Sequence, residues 1–164
     1  MAEKYLIALF VLALSVAAAG CTTSEASTHD HYGDYLSEMS LGNTEFALAS
    51  EHYNNASQYF SKGGYTPALK EIDAAEKGYD RASRHYSNMT AMATTNDQRA
   101  YADALEAYAR SCMYASGSYH DAYVAYSAGD NYRGDACQKN AKEYIEQAGK
   151  DHARAVALQP DAII

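Results

Sequence analysis

The residues that could do chemistry in this 164-residue chain are its histidines, cysteines and acidic side chains, and their spacing is the first question. Beyond residue 31, the histidines are far apart from one another in the sequence, at His52, His85, His120 and His152. A di-iron or di-manganese bundle needs a glutamate followed three residues later by a histidine on two helices, and no glutamate here has one. The chain also has no Gly-x-Ser-x-Gly segment, phosphate-binding glycine loop or Cys-x-x-Cys-His segment. We therefore predict a protein that is not an enzyme and that binds no metal or cofactor.

The first 20 residues are expected to be an export signal. Lys4 precedes an apolar run from Tyr5 to Leu14, which is shorter than the span of about 20 residues that a transmembrane helix needs. The segment ends with Ala18-Ala19-Gly20-Cys21, which resembles the lipobox of prokaryotic lipoproteins. The resemblance implies that Cys21 receives a diacylglyceryl group and becomes the mature N-terminus. The protein would then be anchored on a membrane outside the cytoplasm. Simple secretion and an uncleaved anchor are the alternatives.

Residues 21–31 are polar and without periodicity, which predicts a lipidated, flexible tether before an all-helical domain at 32–160. His29, Asp30 and His31 are competent metal ligands that follow one another in this tether. Three neighbouring donors in a disordered segment, without a fourth, make a weak site. We expect no metal there.

The other two cysteines, Cys112 and Cys137, form a candidate disulfide if the compartment is oxidising. In a straight helical hairpin they would lie roughly 15 Å apart along the axis, at a rise of about 1.5 Å per residue. A disulfide needs Cα atoms within about 7 Å. The bond therefore requires a break near Gly117, and otherwise both residues are small buried hydrophobes.

Two asparagines, Asn55 and Asn88, begin segments that fit the glycosylation acceptor pattern. The pattern has a meaning only in an organism that glycosylates exported proteins. We expect Asn88 to be the better candidate, because it lies near a predicted helix end and Asn55 lies within a helix. The alternative is that both are chance matches on a polar face.

The chain is acidic and alanine- and tyrosine-rich, with a net charge of -8 and 16 tyrosines. The charge disfavours a phosphate-binding surface, so we expect no nucleic acid partner. Few large aliphatic residues remain after the signal, but small and aromatic residues recur at alternating spacings of four and three. The stripes are Tyr35, Met39, Gly42, Phe46, Ala49, Tyr53, Ala56 and Phe60; Ala68, Ile72, Ala75, Tyr79, Ala82, Tyr86 and Met89; Tyr101, Leu105, Tyr108, Cys112, Ala115, Tyr119, Ala122 and Tyr126; and Cys137, Ala141, Tyr144, Ala148, Asp151, Ala155 and Leu158.

These stripes predict four amphipathic helices, at roughly 32–62, 66–90, 96–128 and 132–158. Thr66-Pro67 and the capping-box pair Thr95 and Gln98 are start signals, and Lys62-Gly63-Gly64 is a stop. Gly42-Asn43 and Ser116-Gly117-Ser118 are positions where a helix could split or bend. Alanine permits close axes, while each tyrosine buries a ring and keeps its hydroxyl near the surface.

The predicted fold is all-α, with four long antiparallel helices arranged as two helical hairpins. In the first hairpin, Ala56, Tyr59, Gly63, Tyr65, Ala68 and Ala75 resemble the tetratricopeptide repeat, and Tyr126, Gly129, Tyr132 and Ala136 repeat the pattern loosely in the second. The resemblance implies an open groove that binds a peptide or protein. The heptad spacing is also compatible with a closed four-helix bundle, which has no groove and which we slightly favour.

The expected function is that of a lipid-anchored, extracytoplasmic, non-catalytic module that binds another protein or an envelope component. One alternative is a bundle that binds a small molecule or metal ion between its helices. Another is a structural spacer without a partner. The two binding hypotheses differ in where the tyrosines point: a groove leaves several exposed on one face, whereas a pocket directs their hydroxyls into a void.

Overall fold

The computed structural model describes residues 31–159, and four helices account for nearly all of them. They are α1 (His31–Ser61), α2 (Tyr65–Met92), α3 (Asn96–Ser127) and α4 (Asn131–Leu158). The all-α class, with four long antiparallel helices in two hairpins, is confirmed. The predicted export signal at 1–20, Cys21 and the tether as far as residue 30 lie outside the described residues. His31, the last residue of the predicted tether, already belongs to α1.

The helix ends follow the predicted signals with one exception. Thr95 and Gln98 form a complete capping box at the start of α3, and Asp130 accepts a hydrogen bond from the backbone amide of Arg133 at the start of α4. Gly63 and Gly129 end the preceding helices at φ values of 76° and 78°, a region that favours glycine.

The exception is the start of α2, where Thr66 was the predicted cap. The cap is Gly64, which has no side chain to offer, and the helix begins at Tyr65. Thr66 and Pro67 therefore lie inside the first turn. Proline is tolerated there because the amide it lacks would have no intrahelical partner.

The helices pack in chain order, which leaves the bundle open between its first and last members. α1 packs on α2, α2 on α3 and α3 on α4, while α1 and α3 approach each other only slightly. Within the described residues, no Cα atom of α4 comes within 8 Å of a Cα atom of α1 or α2. A closed ring would place α4 against α1, and the backbones of these two helices are not in contact. The order matches the open alternative.

Glycine and alanine let these helices approach closely. A Cβ atom added at Gly78 would lie 2.8 Å from the Cβ atom of Ala49, so α1 and α2 nearly touch at this point. A Cβ atom at Gly42 would lie 2.6 Å from the Tyr86 ring, and one at Gly134 would lie 2.6 Å from the Tyr126 ring. Rings thus occupy the space that a glycine leaves on the facing helix.

The breaks suggested at Gly42 and Gly117 do not occur. α1 and α3 are continuous through both positions. Gly42 is instead packed beneath Tyr86, and a Cβ atom at Gly117 would lie 3.2 Å from a carboxylate oxygen of Glu76. Both glycines serve interhelical contact, and neither interrupts the helix.

The core follows the predicted stripes most closely in α2, where every stripe residue is buried. In α3 the stripe describes only part of the buried surface. Additional buried residues lie on this helix because it packs against α2 and α4 at once; they are Ala102, Ala104, Ala109, Ser111, Ser116, Tyr123 and Ala125. In α4, by contrast, only Gly134, Ala141, Ala148 and Ala155 are buried, at seven-residue spacing.

We expect alanine to have opposite effects at two helical glycines. Gly78→Ala should lower the free energy of unfolding by about 1–3 kcal/mol, because α1 and α2 must separate to admit the methyl group. Gly149→Ala is the matched control, since its Cβ atom would meet nothing within 4 Å. This control should gain about 0.5–1 kcal/mol from helix propensity. Urea denaturation followed by circular dichroism measures both. Equal stabilisation of the two variants would contradict the close approach at Gly78.

Candidate functional site

The most distinctive surface feature is a line of aromatic side chains where α1 faces α3. We call it the aromatic row and define it as Phe46, Tyr53 and Phe60 of α1 with Tyr108, Tyr119 and Tyr126 of α3. Ring centroids lie 4.7 Å apart for Phe46 and Tyr108, and 5.8 Å for Tyr53 and Tyr119. Phe60 lies 5.5 Å from Tyr126 and stacks on the buried Tyr123 at 4.3 Å. These are separations at which aromatic rings interact favourably.

The row exists because the backbones of α1 and α3 are too far apart for small side chains to bridge. The three residues from α1 recur every seven positions, which keeps them on one side of the helix. All six members of the row are half-buried, so each ring contributes to the core and is also accessible at the surface. The groove hypothesis expects several exposed tyrosines on one face, whereas the rings of this row are only partly exposed.

The chemistry of the row is apolar and hydroxyl-bearing, with ionisable neighbours only at its border with α4. The Tyr126 hydroxyl donates to a carboxylate oxygen of Asp135 at 2.6 Å. The His152 ring centroid lies 5.0 Å from that of Tyr108. Such a surface suits recognition by stacking and hydrogen bonding better than by ion pairing.

The more deeply buried tyrosines direct their hydroxyls to partners within the protein. Tyr86 donates to the Asn43 side chain at 2.9 Å. The Ser50 hydroxyl donates a hydrogen bond to the Phe46 carbonyl. The Tyr79 hydroxyl is therefore the donor in its 3.1 Å hydrogen bond to the Ser50 oxygen. Among residues 31–159, every buried side-chain nitrogen or oxygen has a hydrogen-bond partner. The bonds to Asn43 and Ser50 engage the hydroxyls of two buried tyrosines within the protein.

Burial raises the pKa of the phenols in this core. The increase in pKa is largest at Tyr53. Desolvation is its main cause there, and the electrostatic interaction with the neighbouring Tyr119 is the second. Desolvation also raises the pKa of Tyr79, Tyr86 and Tyr108. These tyrosines stay neutral far above physiological pH, which excludes them as bases.

The four histidines do not converge on one site. His52 and His85 of the α1–α2 pair each contact a glutamate of the opposite helix at 2.7 Å, namely Glu71 and Glu38. His120 lies 3.7 Å from Asp121, and His152 contacts the Tyr108 ring. Each histidine thus has its own local partner.

The two described cysteines are free thiols. α3 passes through Gly117 without the break that a disulfide between Cys112 and Cys137 would need. Cys112 is buried, and desolvation, with a smaller contribution from Asp151, raises its pKa to about 12. Cys137 is half-buried. Burial and the nearby Asp151 make the environment of Cys112 unlike the electropositive one that activates a thiol.

Both glycosylation candidates lie within helices. Asn55 is half-buried in α1, and Asn88 is exposed in α2, which extends to Met92. The Asn88 amide nitrogen, the atom that would carry a glycan, donates to Glu38 at 3.1 Å. Asn88 is the more exposed of the two asparagines.

Two features of the surface were missed from the sequence. The pairing of α1 rings with α3 rings joins helices that are not neighbours in the chain, although the alternating four-and-three spacing of both stripes was a usable signal. The exposed contact between Tyr114 and Tyr144 was also missed, because Tyr114 lies outside the α3 stripe.

The charge in the α4 stripe, Asp151, is explained by hydrogen bonds from Ser111 at 2.8 Å and Gln147 at 2.9 Å.

Wider comparisons leave the row as the principal candidate. No protein family, curated protein or solved structure matches this chain. Within residues 31–159, no cluster of three or more histidine, cysteine and acidic side chains could hold a metal ion. None of the four described helices is long and apolar enough to span a membrane.

The raised pKa values predict a loss of stability at alkaline pH. A group whose pKa is higher in the folded than in the unfolded protein contributes its full stabilisation at pH values below the unfolded-state pKa, which is about 10 for tyrosine. This stabilisation is lost as the pH rises above that value. Each such tyrosine should contribute a slope of up to about 1.4 kcal/mol per pH unit above pH 10. Urea denaturation between pH 8 and 11 measures the slope. It should be shallower in Tyr53→Phe and unchanged in Tyr132→Phe, a change in an exposed ring; identical slopes in all three proteins would refute the assignment.

Proposed function

We propose that this protein is a lipid-anchored, extracytoplasmic helical module that binds another protein or an envelope component and has no catalytic activity. The observation that carries the binding role is the half-exposed aromatic row between α1 and α3. Tyrosine and phenylalanine rings that are held rigidly by a core lose little conformational freedom on binding, which makes them effective contact residues.

The open order of the helices supports a binding face over a sealed bundle. α4 packs on α3 alone and approaches the row through His152 and Asp135 at its border. The hydrogen bonds of Tyr79 and Tyr86 to α1 engage two of the hydroxyls that a pocket for a small molecule between the helices would use. They do not bear on the spacer alternative, which the experiment below addresses.

The absence of catalysis is proposed from the chemistry of the described residues. His52, His85, His120 and His152 are each engaged by a separate partner, and none of these four is hydrogen-bonded to a serine, threonine or cysteine. The Cys112 thiol, with its pKa near 12, is protonated at neutral pH. The proposal therefore depends on the lack of a histidine-activated nucleophile among residues 31–159.

The anchor is proposed from the lipobox-like ending at Cys21. Counting Cys21 itself, ten residues (21–30) precede the first residue of α1, His31. With Cys21 in the membrane, the end of the bundle that holds His31 and the α2–α3 linker would face the bilayer. The two hairpin turns, at 62–64 and 128–130, lie at the opposite end, about 45 Å away for a 31-residue helix at 1.5 Å per residue.

Lipidation predicts a label that depends on one cysteine. Cells grown with an alkynyl palmitate analogue should label the wild-type protein and recover it in the membrane fraction. Cys21→Ser should abolish the label and release the protein from membranes, while the matched control Cys137→Ser should keep both properties. Undiminished labelling of Cys21→Ser would disprove the anchor.

Binding at the row predicts position-dependent crosslinking. A photoreactive phenylalanine at Tyr119 should form a discrete adduct on illumination of intact cells, because this ring is half-buried in the row. The matched control is the same residue at Val124, which is exposed on α3. The adduct should be absent at Val124 and absent again when Tyr53→Ala disrupts the row in a chain that remains folded by circular dichroism. Equal crosslinking at both positions would contradict a specific face, and none at either would favour the spacer.

A further inference from the structure

Tyr114 of α3 and Tyr144 of α4 stand ring against ring on the surface. Their centroids lie 5.4 Å apart with the planes at 41°, and their side chains are 43% and 40% exposed. That separation is typical of rings in contact. Arg110 donates to the Tyr114 hydroxyl at 3.3 Å, which restrains the ring beside its partner. The pair combines proximity with access from solvent.

We propose that Tyr114 and Tyr144 form an oxidative modification site, at which a one-electron oxidant of the haem-peroxidase class, using hydrogen peroxide, joins the two rings covalently. Each phenol loses the hydrogen atom of its hydroxyl and becomes a phenoxyl radical. The radicals couple through a new bond between ring carbons ortho to the oxygens. The hydrogens on those carbons then move to the oxygens and restore both phenols. The ring pair loses two hydrogen atoms in total, and one hydrogen peroxide is reduced to two waters.

The other tyrosine pairs of the described chain suit this reaction less well. Tyr53 and Tyr119 lie 5.8 Å apart, and Tyr119 and Tyr123 lie 6.0 Å apart, in more buried surroundings. Burial also raises the pKa of these phenols, which keeps them protonated and harder to oxidise. Tyr132 is 89% exposed, but no ring contact among residues 31–159 involves it. Exposure and a ring partner coincide at Tyr114 and Tyr144.

The crosslink would act on the least integrated helix of the bundle. α4 packs on α3 alone, and its buried residues are all glycine or alanine. Small side chains bury little apolar area, so α4 has the weakest hold on the core and should open before the other helices. A covalent bond from Tyr144 to Tyr114 would tether α4 near its middle and restrict that opening.

The test treats the purified full chain, at low concentration, with horseradish peroxidase and limiting hydrogen peroxide, followed by proteolysis and mass spectrometry. We expect a crosslinked peptide pair containing Tyr114 and Tyr144, lighter than the sum of the two peptides by two hydrogen atoms. Tyr144→Phe keeps the ring but cannot form the phenoxyl radical, so the crosslink should disappear. Tyr132→Phe is the matched control and should retain it.

Hydrogen exchange then measures the effect on the fold. The crosslinked protein should exchange the amides in the middle of α4 about tenfold more slowly than untreated protein, and treated Tyr144→Phe should not change. Circular dichroism confirms that each variant is folded before treatment. Crosslinks confined to other tyrosines, or to pairs between molecules, would overturn the proposed site. Unaltered exchange in crosslinked protein would overturn the proposed tethering.

Discussion

The fold depends on one constraint: a core poor in large aliphatic residues must be filled by tyrosine rings, and where two helices lie close together a ring needs a small residue opposite it. Gly42 beneath Tyr86 and Gly134 beneath Tyr126 show the arrangement most directly, since any side chain at either glycine would collide with the ring. Where no ring intervenes, as between Gly78 and Ala49, the helix backbones themselves come close. Dense packing is thus achieved by pairing the smallest residues with nearly the largest ones.

The same constraint explains why the bundle is open. A ring that enters a core brings a hydroxyl, and that hydroxyl must find a partner or remain near water. Tyr79 and Tyr86 use polar residues of α1, and Tyr35 donates to the Gln98 carbonyl at 3.0 Å. The larger separation of α1 from α3 is filled by rings that remain half-exposed. A helix closing the ring over these phenols would bury further hydroxyls, each of which would need another partner.

Much of this was predictable, and the limits have physical reasons. The helices and the capping box at Thr95 follow from local signals, since periodicity and capping act within a few residues. The open order was not predictable from heptads, because a seven-residue stripe shows that a helix has an apolar side but not which helix covers it. Gly42 was ambiguous for a related reason: a glycine that breaks a helix and one that admits a ring have the same sequence signal. The aromatic row required the register between α1 and α3, which is set by packing.

The distribution of small residues also explains how the two hairpins differ. In the first, buried Tyr79 and Tyr86 donate to α1, so the helix pair is joined by hydrogen bonds as well as by close backbones. In the second, the buried residues of α4 are only glycine and alanine, and its polar links to α3 are the hydrogen bonds of Asp151 with Ser111 and of Asp135 with Tyr126. Because stability is spread unevenly in this way, motion in the described chain should be concentrated in α4, at the border of the aromatic row. Changes in how α4 lies on α3 would then alter the access of Tyr108 and Tyr126, through their contacts with His152 and Asp135, without disturbing the packing of α1 on α2.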